Sequence, residues 1–167
     1  NVMQVAAGEQ HTVVLQKING SNRLRCLGDS SYQQGEVPVL NGVPVQISAG
    51  SVHSATLLDD GRVVSWGGYM DPAPLLPALA TQVDCGLYHS AARLQDGTVV
   101  AWGSNWSGQC LGTDENGLVI SDSTTVPQGE FGVRSKLLGV VVSGVKQVAA
   151  DSDTVALKQD GTLVGWP

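Results

Sequence analysis

Three histidines occupy equivalent places in the sequence, and a hydroxyl residue follows each of them. The pairs are His11-Thr12, His53-Ser54 and His89-Ser90. Three imidazoles could bind a metal ion, and a histidine beside a serine could activate a nucleophile. However, each histidine holds one position of a repeated segment, and adjacent strand residues point to opposite faces. We therefore expect no metal, no cofactor and no catalytic residue, so the chain is not predicted to be an enzyme. Each histidine should instead tether its own inner strand to a neighbouring loop.

Carboxylates recur immediately before glycine, at Asp60, Asp96 and Asp160. Acidic clusters can bind calcium, but the sequence contains no D-x-D-x-D-G loop. An Asp-Gly pair between two β-prone runs is a strong signal for a hairpin, because glycine readily adopts the positive φ that the turn needs. We therefore predict hairpin turns at these three Asp-Gly pairs and assign them no chemistry.

Internal repetition explains why both motifs recur. The segment 5–15 returns at 47–57, at 83–93 and, shortened, at 148–157. A second element with the pattern D-G-x-V-x-x-W-G follows, and in it a small residue always precedes the tryptophan position. Large and small residues that alternate in this way suit sheets that are stacked face to face.

The repeats predict an all-β fold built from β-propeller blades of antiparallel strands, with about four repeats. Repeat 1 covers residues 1–46, repeat 2 covers 47–82, and repeat 3 covers 83–146 with a long insertion at 104–146. A partial repeat 4 covers 147–167. We expect the Ala-Ala-Gly strands to be innermost and Trp66, Trp102 and Trp166 to lie in the core.

Composition excludes several classes of partner. The net charge of −6, with only nine Lys and Arg residues, argues against direct binding of nucleic acid. No apolar run is long enough to span a membrane. The three cysteines form no C-x-x-C pair and fit neither a zinc site nor a complete set of disulfides.

The two elements, A-G-x-x-H-[ST] and D-G-x-V-x-x-W-G, resemble the repeats of the regulator-of-chromosome-condensation propeller family. The segment 102–112, Trp-Gly-Ser-Asn-Trp-Ser-Gly-Gln-Cys-Leu-Gly, is similar to that family's W-G-x-N-x-x-G-Q-L-G signature. The resemblance covers nearly the whole chain, and the 36-residue spacing from His53 to His89 resembles that of the compact bacterial inhibitors in the family. It implies part of a seven-bladed ring, so we expect further blades from the same or another chain.

Family members differ in function, and so the resemblance leaves two alternatives open. The first is a non-catalytic protein-protein interaction module, a scaffold or an inhibitor, that uses loops on a propeller face. The second is a guanine-nucleotide exchange or regulatory module for a small GTPase. Large side chains at variable loop positions are the candidate partner-binding residues. They are Trp106, Tyr88, Tyr69, Met70 and, beside Trp106, Asn105.

Overall fold

Four antiparallel sheets of three strands each make up most of the fold. The computed structural model describes residues 1–68, 72–112, 116, 136–137 and 140–166, and these residues form fourteen strands and no helix. Sheets 1 and 2 contain β1 (Val2–Ala7), β2 (His11–Ile18), β3 (Ser21–Gly28), β4 (Pro44–Ala49), β5 (His53–Leu58) and β6 (Val63–Gly67). Sheets 3 and 4 contain β7 (Ala80–Cys85), β8 (His89–Leu94), β9 (Val99–Gly103), β12 (Val145–Ala150), β13 (Thr154–Lys158) and β14 (Leu163–Trp166). Strands β10 (Lys136–Leu137) and β11 (Val140–Val141) pair as a separate two-stranded antiparallel sheet.

Within each sheet the strands pair in chain order, so the second strand is always central. The Asp-Gly turns join the second strand to the third in sheets 2 to 4. Gly61 has a φ of +80°, and the Leu58 N–H donates to the Arg62 carbonyl at 2.8 Å. Gly97 and Gly161 have φ values of +76° and +86° in the equivalent turns. The predicted hairpin turns are therefore confirmed.

The first strands of the four sheets lie next to one another, because β1 contacts β4, β4 contacts β7, and β7 contacts β12. Each first strand carries a β-bulge directly before a glutamine, which shifts its pairing with the second strand by one residue. The glutamines are Gln4, Gln46, Gln82 and Gln147. The predicted inner position of these strands agrees with this arrangement.

Apolar clusters fill the space between neighbouring sheets. The cluster between sheets 2 and 3 contains Ala55 and Leu57 from one sheet and Val83 and Trp102 from the other. A similar cluster around Trp166 joins sheets 3 and 4, and one that includes Trp66 joins sheets 1 and 2. The three tryptophans are 9%, 2% and 2% exposed in chain order, as expected for core residues. Stacked sheets with this pattern are blades.

Sheet 1 has an outer face that no described residue covers. Val5 on β1 is 58% exposed, whereas its equivalents Ile47, Val83 and Val148 are each 1% exposed. Leu27, which replaces the repeat tryptophan in sheet 1, is 47% exposed. Within the described part of the chain, no helix has the length and apolar character needed to cross a membrane.

Candidate functional site

The turns between the first and second strands lie at one end of the sheets, which we call the loop end. These turns are residues 8–10, 50–52, 86–88 and 151–153. The segments that follow the third strands start at the same end, because Gly28, Gly67 and Gly103 pair with His11, His53 and His89. The Asp-Gly turns lie at the opposite end, the hairpin end. Segments that vary between repeats therefore meet at the loop end.

Close packing explains the spacing of glycine and histidine in the repeat. The Gly50 N–H donates to the His53 carbonyl at 2.9 Å, which closes the turn at the start of β5. The imidazole of His53 then lies against Gly50, and the Gly86 carbonyl of the next sheet approaches from the other side. A Cβ at residue 50 would collide with both groups. Glycine is therefore required by the contact between neighbouring sheets.

The histidines connect each sheet to the next through a hydroxyl group. His11 Nε2 lies 2.8 Å from Ser54 Oγ, His53 Nε2 lies 3.0 Å from Ser90 Oγ, and His89 Nε2 lies 2.8 Å from Thr154 Oγ1. We expected each histidine to contact a neighbouring loop, but its partner is the hydroxyl residue on the central strand of the following sheet. Within one strand, the histidine and the hydroxyl residue after it point to opposite faces of the sheet. The bond forms because the histidine of one sheet faces the hydroxyl residue of the next sheet.

These pairs combine a histidine with a serine or threonine, as a nucleophilic catalyst does, but they are buried. Ser54, Ser90 and Thr154 are each 0% exposed, so their hydroxyls cannot meet a substrate. Nδ1 of His11 and of His53 has no hydrogen-bond partner in the described part of the chain, so no carboxylate orients the ring. The geometry supports a structural connection between sheets.

Burial also keeps the imidazoles neutral at neutral pH. Burial, with a smaller contribution from His89 and His11, lowers the pKa of His53 to about 4. Burial likewise lowers the pKa of His89 to about 4, against the opposing effect of Asp153 and Asp151. A neutral imidazole can donate and accept one hydrogen bond each, which suits a contact with a hydroxyl group.

The glutamines of the first strands make a second connection, which the sequence analysis missed. Gln4 Nε2 donates to the Ile47 carbonyl at 2.8 Å, and its Oε1 accepts from the Ile47 N–H at 2.9 Å. Gln82 binds both backbone groups of Val148 in the same way, at 2.6 and 3.0 Å. Oε1 of Gln46 accepts from the Val83 N–H at 3.0 Å. Each side chain thus pairs with the open edge of the next inner strand.

Two loops that follow the third strand have the same internal structure. We call residues 29–36 and 104–111 the glutamine loops, after Gln34 and Gln109. In each loop the glutamine Oε1 accepts from a backbone N–H two residues earlier, at 2.8 Å from Tyr32 and 2.9 Å from Ser107. The main-chain carbonyl of each glutamine accepts from the next sheet: Gln34 from Trp66 Nε1 at 3.0 Å, and Gln109 from Trp166 Nε1 at 3.1 Å. These loops complete the junctions of sheets 1–2 and 3–4.

The junction of sheets 2 and 3 differs from the other two. Trp102 is 2% exposed, and its Nε1 has no hydrogen-bond acceptor among the described residues. The link between Gly67 and Ala80 is shorter than the other links between sheets, and no glutamine loop occurs in its described part. This junction therefore relies on apolar packing, on the bonds of Gln46 and His53, and on Ser48 Oγ, which donates to Asp84 Oδ1 at 2.8 Å and accepts from the Cys85 N–H at 3.0 Å.

Two of the predicted partner-binding residues are exposed on adjacent loops. Trp106 is 86% exposed at the tip of the second glutamine loop, and Tyr88 is 56% exposed in the turn of sheet 3. The Ser104 N–H donates to the Tyr88 carbonyl at 2.8 Å, which ties the two segments together. Leu87, beside Tyr88, is 40% exposed. The loop end of sheet 3 thus carries an apolar, partly aromatic surface.

The other predicted partner-binding residues have different placements. Asn105 is 7% exposed, and its Oδ1 accepts from the N–H groups of Cys110 and Leu111 at 2.9 and 3.1 Å. It therefore shapes the loop that presents Trp106. Tyr69 and Met70 lie outside the described residues, as does most of the predicted insertion.

The cysteines and acids of the described segments show no arrangement for redox or metal chemistry. Burial raises the pKa of the Cys85 and Cys110 thiols to about 12, so neither forms a reactive thiolate at neutral pH. Among the residues with described positions, no group of three His, Cys, Asp or Glu side chains could hold a metal ion.

Sequence comparison finds the same repeat in known proteins. The family described as "Regulator of chromosome condensation (RCC1) repeat" matches residues 45–68 and 80–109. The human regulator of chromosome condensation is 40% identical in an alignment 81 residues long that covers 42% of this chain and 19% of the human protein. The Drosophila melanogaster protein is 37% identical in an alignment 81 residues long that covers 42% of this chain and 15% of that protein. The chain therefore aligns with a minor part of each relative.

Structural comparison extends the similarity to all four sheets. Human WBSCR16 superposes with a TM-score of 0.74 at 22% identity, over 99% of this chain and 47% of that one. Prp20p from Saccharomyces cerevisiae gives a TM-score of 0.72 at 22% identity, over 99% and 45%. The chain spans less than half of either structure. With its repeated Gly-x-x-His turns, two glutamine loops and stacked three-stranded sheets, this chain is an array of β-propeller blades in which residues 45–68 and 80–109 match the RCC1 repeat.

Proposed function

We propose that this chain is a non-catalytic interaction module that binds another protein through its loop end. The observation that carries the proposal is the exposure of Trp106 and Tyr88 on two loops joined by a backbone hydrogen bond. Aromatic side chains bury much area with few rotatable bonds, and they are enriched among the residues that dominate binding energy. The apolar faces between neighbouring sheets are used in packing.

A random peptide library displayed on phage provides the test, since the partner is unidentified. Peptides selected against the wild-type chain should lose affinity by tens of fold for Trp106→Ala and for Tyr88→Ala, because truncating a central anchor costs about 2 kcal/mol or more. Both variants should keep the melting temperature of the wild type, since neither side chain is buried.

Leu163→Ala is the matched control for these variants. Leu163 is 69% exposed but lies at the hairpin end of sheet 4, so its truncation should leave the selected peptides bound. Equal affinity of the selected peptides for the wild type and the two loop-end variants would contradict the proposal. Unfolding of Trp106→Ala would show that this tryptophan belongs to the core.

A second candidate function is regulation of a small GTPase, and the similarity to the regulators of chromosome condensation favours it. The yeast member Prp20 has been solved in complex with Kap60, and the binding of Prp20p to Gsp1p and histones has been studied. For this chain, accelerated release of a fluorescent guanine nucleotide from the small GTPase Ran would support the second candidate. An unchanged release rate at saturating concentration of the chain would remove it.

The proposal also includes further blades, from the same or another chain, on the open face of sheet 1. In sheets 2 to 4, the inner strand offers backbone groups that the glutamine of the preceding sheet binds. Ile47, Val83 and Val148 are covered in this way, whereas Val5 remains exposed. A preceding blade of the same repeat type would supply both the apolar cover and the glutamine.

A further inference from the structure

Charge is distributed unequally between the two ends of the sheets. The loop end carries five carboxylates, and the described residues place no lysine or arginine there. The five are Glu9, Asp29, Glu36, Asp151 and Asp153. A surface with one sign of charge attracts the opposite sign and speeds its arrival. The loop end therefore favours a cationic partner over an anionic one.

Most of the described basic side chains lie at the hairpin end. Lys17 and Arg23 flank the turn of sheet 1, Arg62 closes the turn of sheet 2, and Lys146 and Lys158 lie at the same end of sheet 4. Acids are present at the hairpin end as well, and Asp60 pairs with Arg62. The hairpin end is thus mixed in charge, whereas the charged side chains that the structure describes at the loop end are all acidic.

The exposed aromatic rings of the loop end point to the same ligand chemistry independently. The face of an aromatic ring carries a negative potential that attracts ammonium and guanidinium groups, and tryptophan is the strongest of these rings. Trp106 is 86% and Tyr88 is 56% exposed, so both rings are accessible to solvent. An arginine side chain can stack on such a ring while it pairs with a carboxylate nearby.

Two of the carboxylates belong to the turn that is bonded to the turn of sheet 3. The Leu87 N–H donates to the Asp151 carbonyl at 2.7 Å, which joins the turn that carries Tyr88 to the acidic turn 151–153. In the earlier repeats, glycine and histidine stand where this turn has Asp151 and Asp153. His89 still reaches Thr154 at 2.8 Å, so these substitutions leave the bond between sheets 3 and 4 intact.

We propose that the loop end of sheets 3 and 4 binds a cationic segment of a partner protein, with an arginine or lysine side chain on Trp106 or Tyr88 and its charge facing Asp151 and Asp153. The inference rests on the proposed function and specifies the chemistry of the partner. Because the carboxylates repel anions, an acidic peptide is excluded from this surface.

Three labelled peptides of equal length test the proposal by fluorescence anisotropy at neutral pH. One peptide contains repeated arginine, one contains citrulline, the neutral analogue of arginine, and one contains glutamate. The arginine peptide should bind at least ten-fold more tightly than the citrulline peptide, and the glutamate peptide should not bind. The affinity for the arginine peptide should fall as salt is raised, because screening weakens exposed charge pairs.

Variants then show where the arginine peptide binds and whether its binding reflects a specific site or the net charge of the whole chain. The double variant Asp151→Asn with Asp153→Asn, and Trp106→Ala, should each weaken arginine-peptide binding by about ten-fold or more. Asp160→Asn is the matched control, because it removes a carboxylate of the same sheet at the hairpin end and asparagine can still accept the bonds from Thr162. Equal losses in the control and the double variant would overturn the proposal.

The outcomes also distinguish the proposal from the function on which it rests. One outcome is that the binding of library-selected peptides requires Trp106 while the arginine peptide binds no better than its citrulline analogue. In that case the loop end binds proteins without a preference for cations. If neither kind of peptide depends on Trp106 or Tyr88, both the proposed function and this inference fail.

Discussion

The buried histidines make the stability of the chain depend on pH. His53 and His89 have pKa values of about 4 in the folded chain and about 6.5 when exposed. Between these values the unfolded chain binds more protons than the folded chain, so stability falls as pH falls from 6.5 towards 4. Above pH 6.5 both states are neutral at these positions, and their contribution to stability is fully present.

Replacing these imidazoles should flatten that dependence. We expect the double variant His53→Gln with His89→Gln to be less stable than the wild type at pH 7, because two buried contacts with hydroxyl groups are altered. Its urea midpoint should change less between pH 6.5 and 4.5 than that of the wild type. Parallel pH profiles of the two proteins would show that other groups control the acid sensitivity.

Individual residues also show what a single sequence can reveal. The Asp-Gly turns were predictable because the turn geometry depends on the two residues that form it, as at Gly61. The partner of His53 could not be predicted in this way, because Ser90 Oγ belongs to another sheet and comes close to His53 only when the two sheets stack. Likewise, the exposure of Trp106 and the burial of Asn105 depend on how one loop folds back on itself.

At the scale of the strands, the glutamine of each first strand is the main element that the sequence analysis overlooked. It precedes the glycine of the repeat by four residues in three copies, as Gln4, Gln46 and Gln82, and Gln147 precedes Asp151 by the same interval. A lone glutamine in a β-prone run usually faces solvent, and only the β-bulge before it turns the side chain to the next sheet. The repetition itself was the available signal.

The array offers a matched pair of glutamines for testing this connection. Gln82→Ala removes two hydrogen bonds to Val148 and should lower the free energy of unfolding by about 1–2 kcal/mol. Gln147 holds the equivalent position in sheet 4 but is exposed and has no partner among the described residues, so Gln147→Ala should have almost no effect. Chemical denaturation of both variants measures the difference. Equal effects would show that the bonds to Val148 do not stabilise the junction.

Across the whole molecule, the junctions between sheets share a direction. Each of sheets 1 to 3 supplies a glutamine and a histidine that bind the sheet after it, so the two outer faces of the array are not equivalent. Sheet 1 offers an open inner strand, and sheet 4 offers Gln147 with Asp153 in place of the histidine. The general arrangement was predictable from the repeats, whereas this direction became visible only from the contacts.

The open face of sheet 1 should make the chain associate with itself when no other blade covers it. On this face Val2, Val5 and Leu27 are 62%, 58% and 47% exposed, and exposed apolar surface favours association. Strand β1 is also an edge strand of sheet 1, and an apolar edge strand is a template for pairing with another chain. We expect sedimentation velocity to show a weight-average mass that rises with protein concentration. Val5→Lys should suppress this rise, because a lysine on an edge strand opposes pairing.

Val39→Lys makes the same chemical change away from the sheet edge and serves as the control. Val39 is 90% exposed in the link between sheets 1 and 2, so its replacement should leave self-association unchanged. An equal effect of both lysines would mean that net charge, rather than the open strand, governs association. A wild-type chain that stays monomeric at every concentration would show that the open face of sheet 1 does not drive self-association.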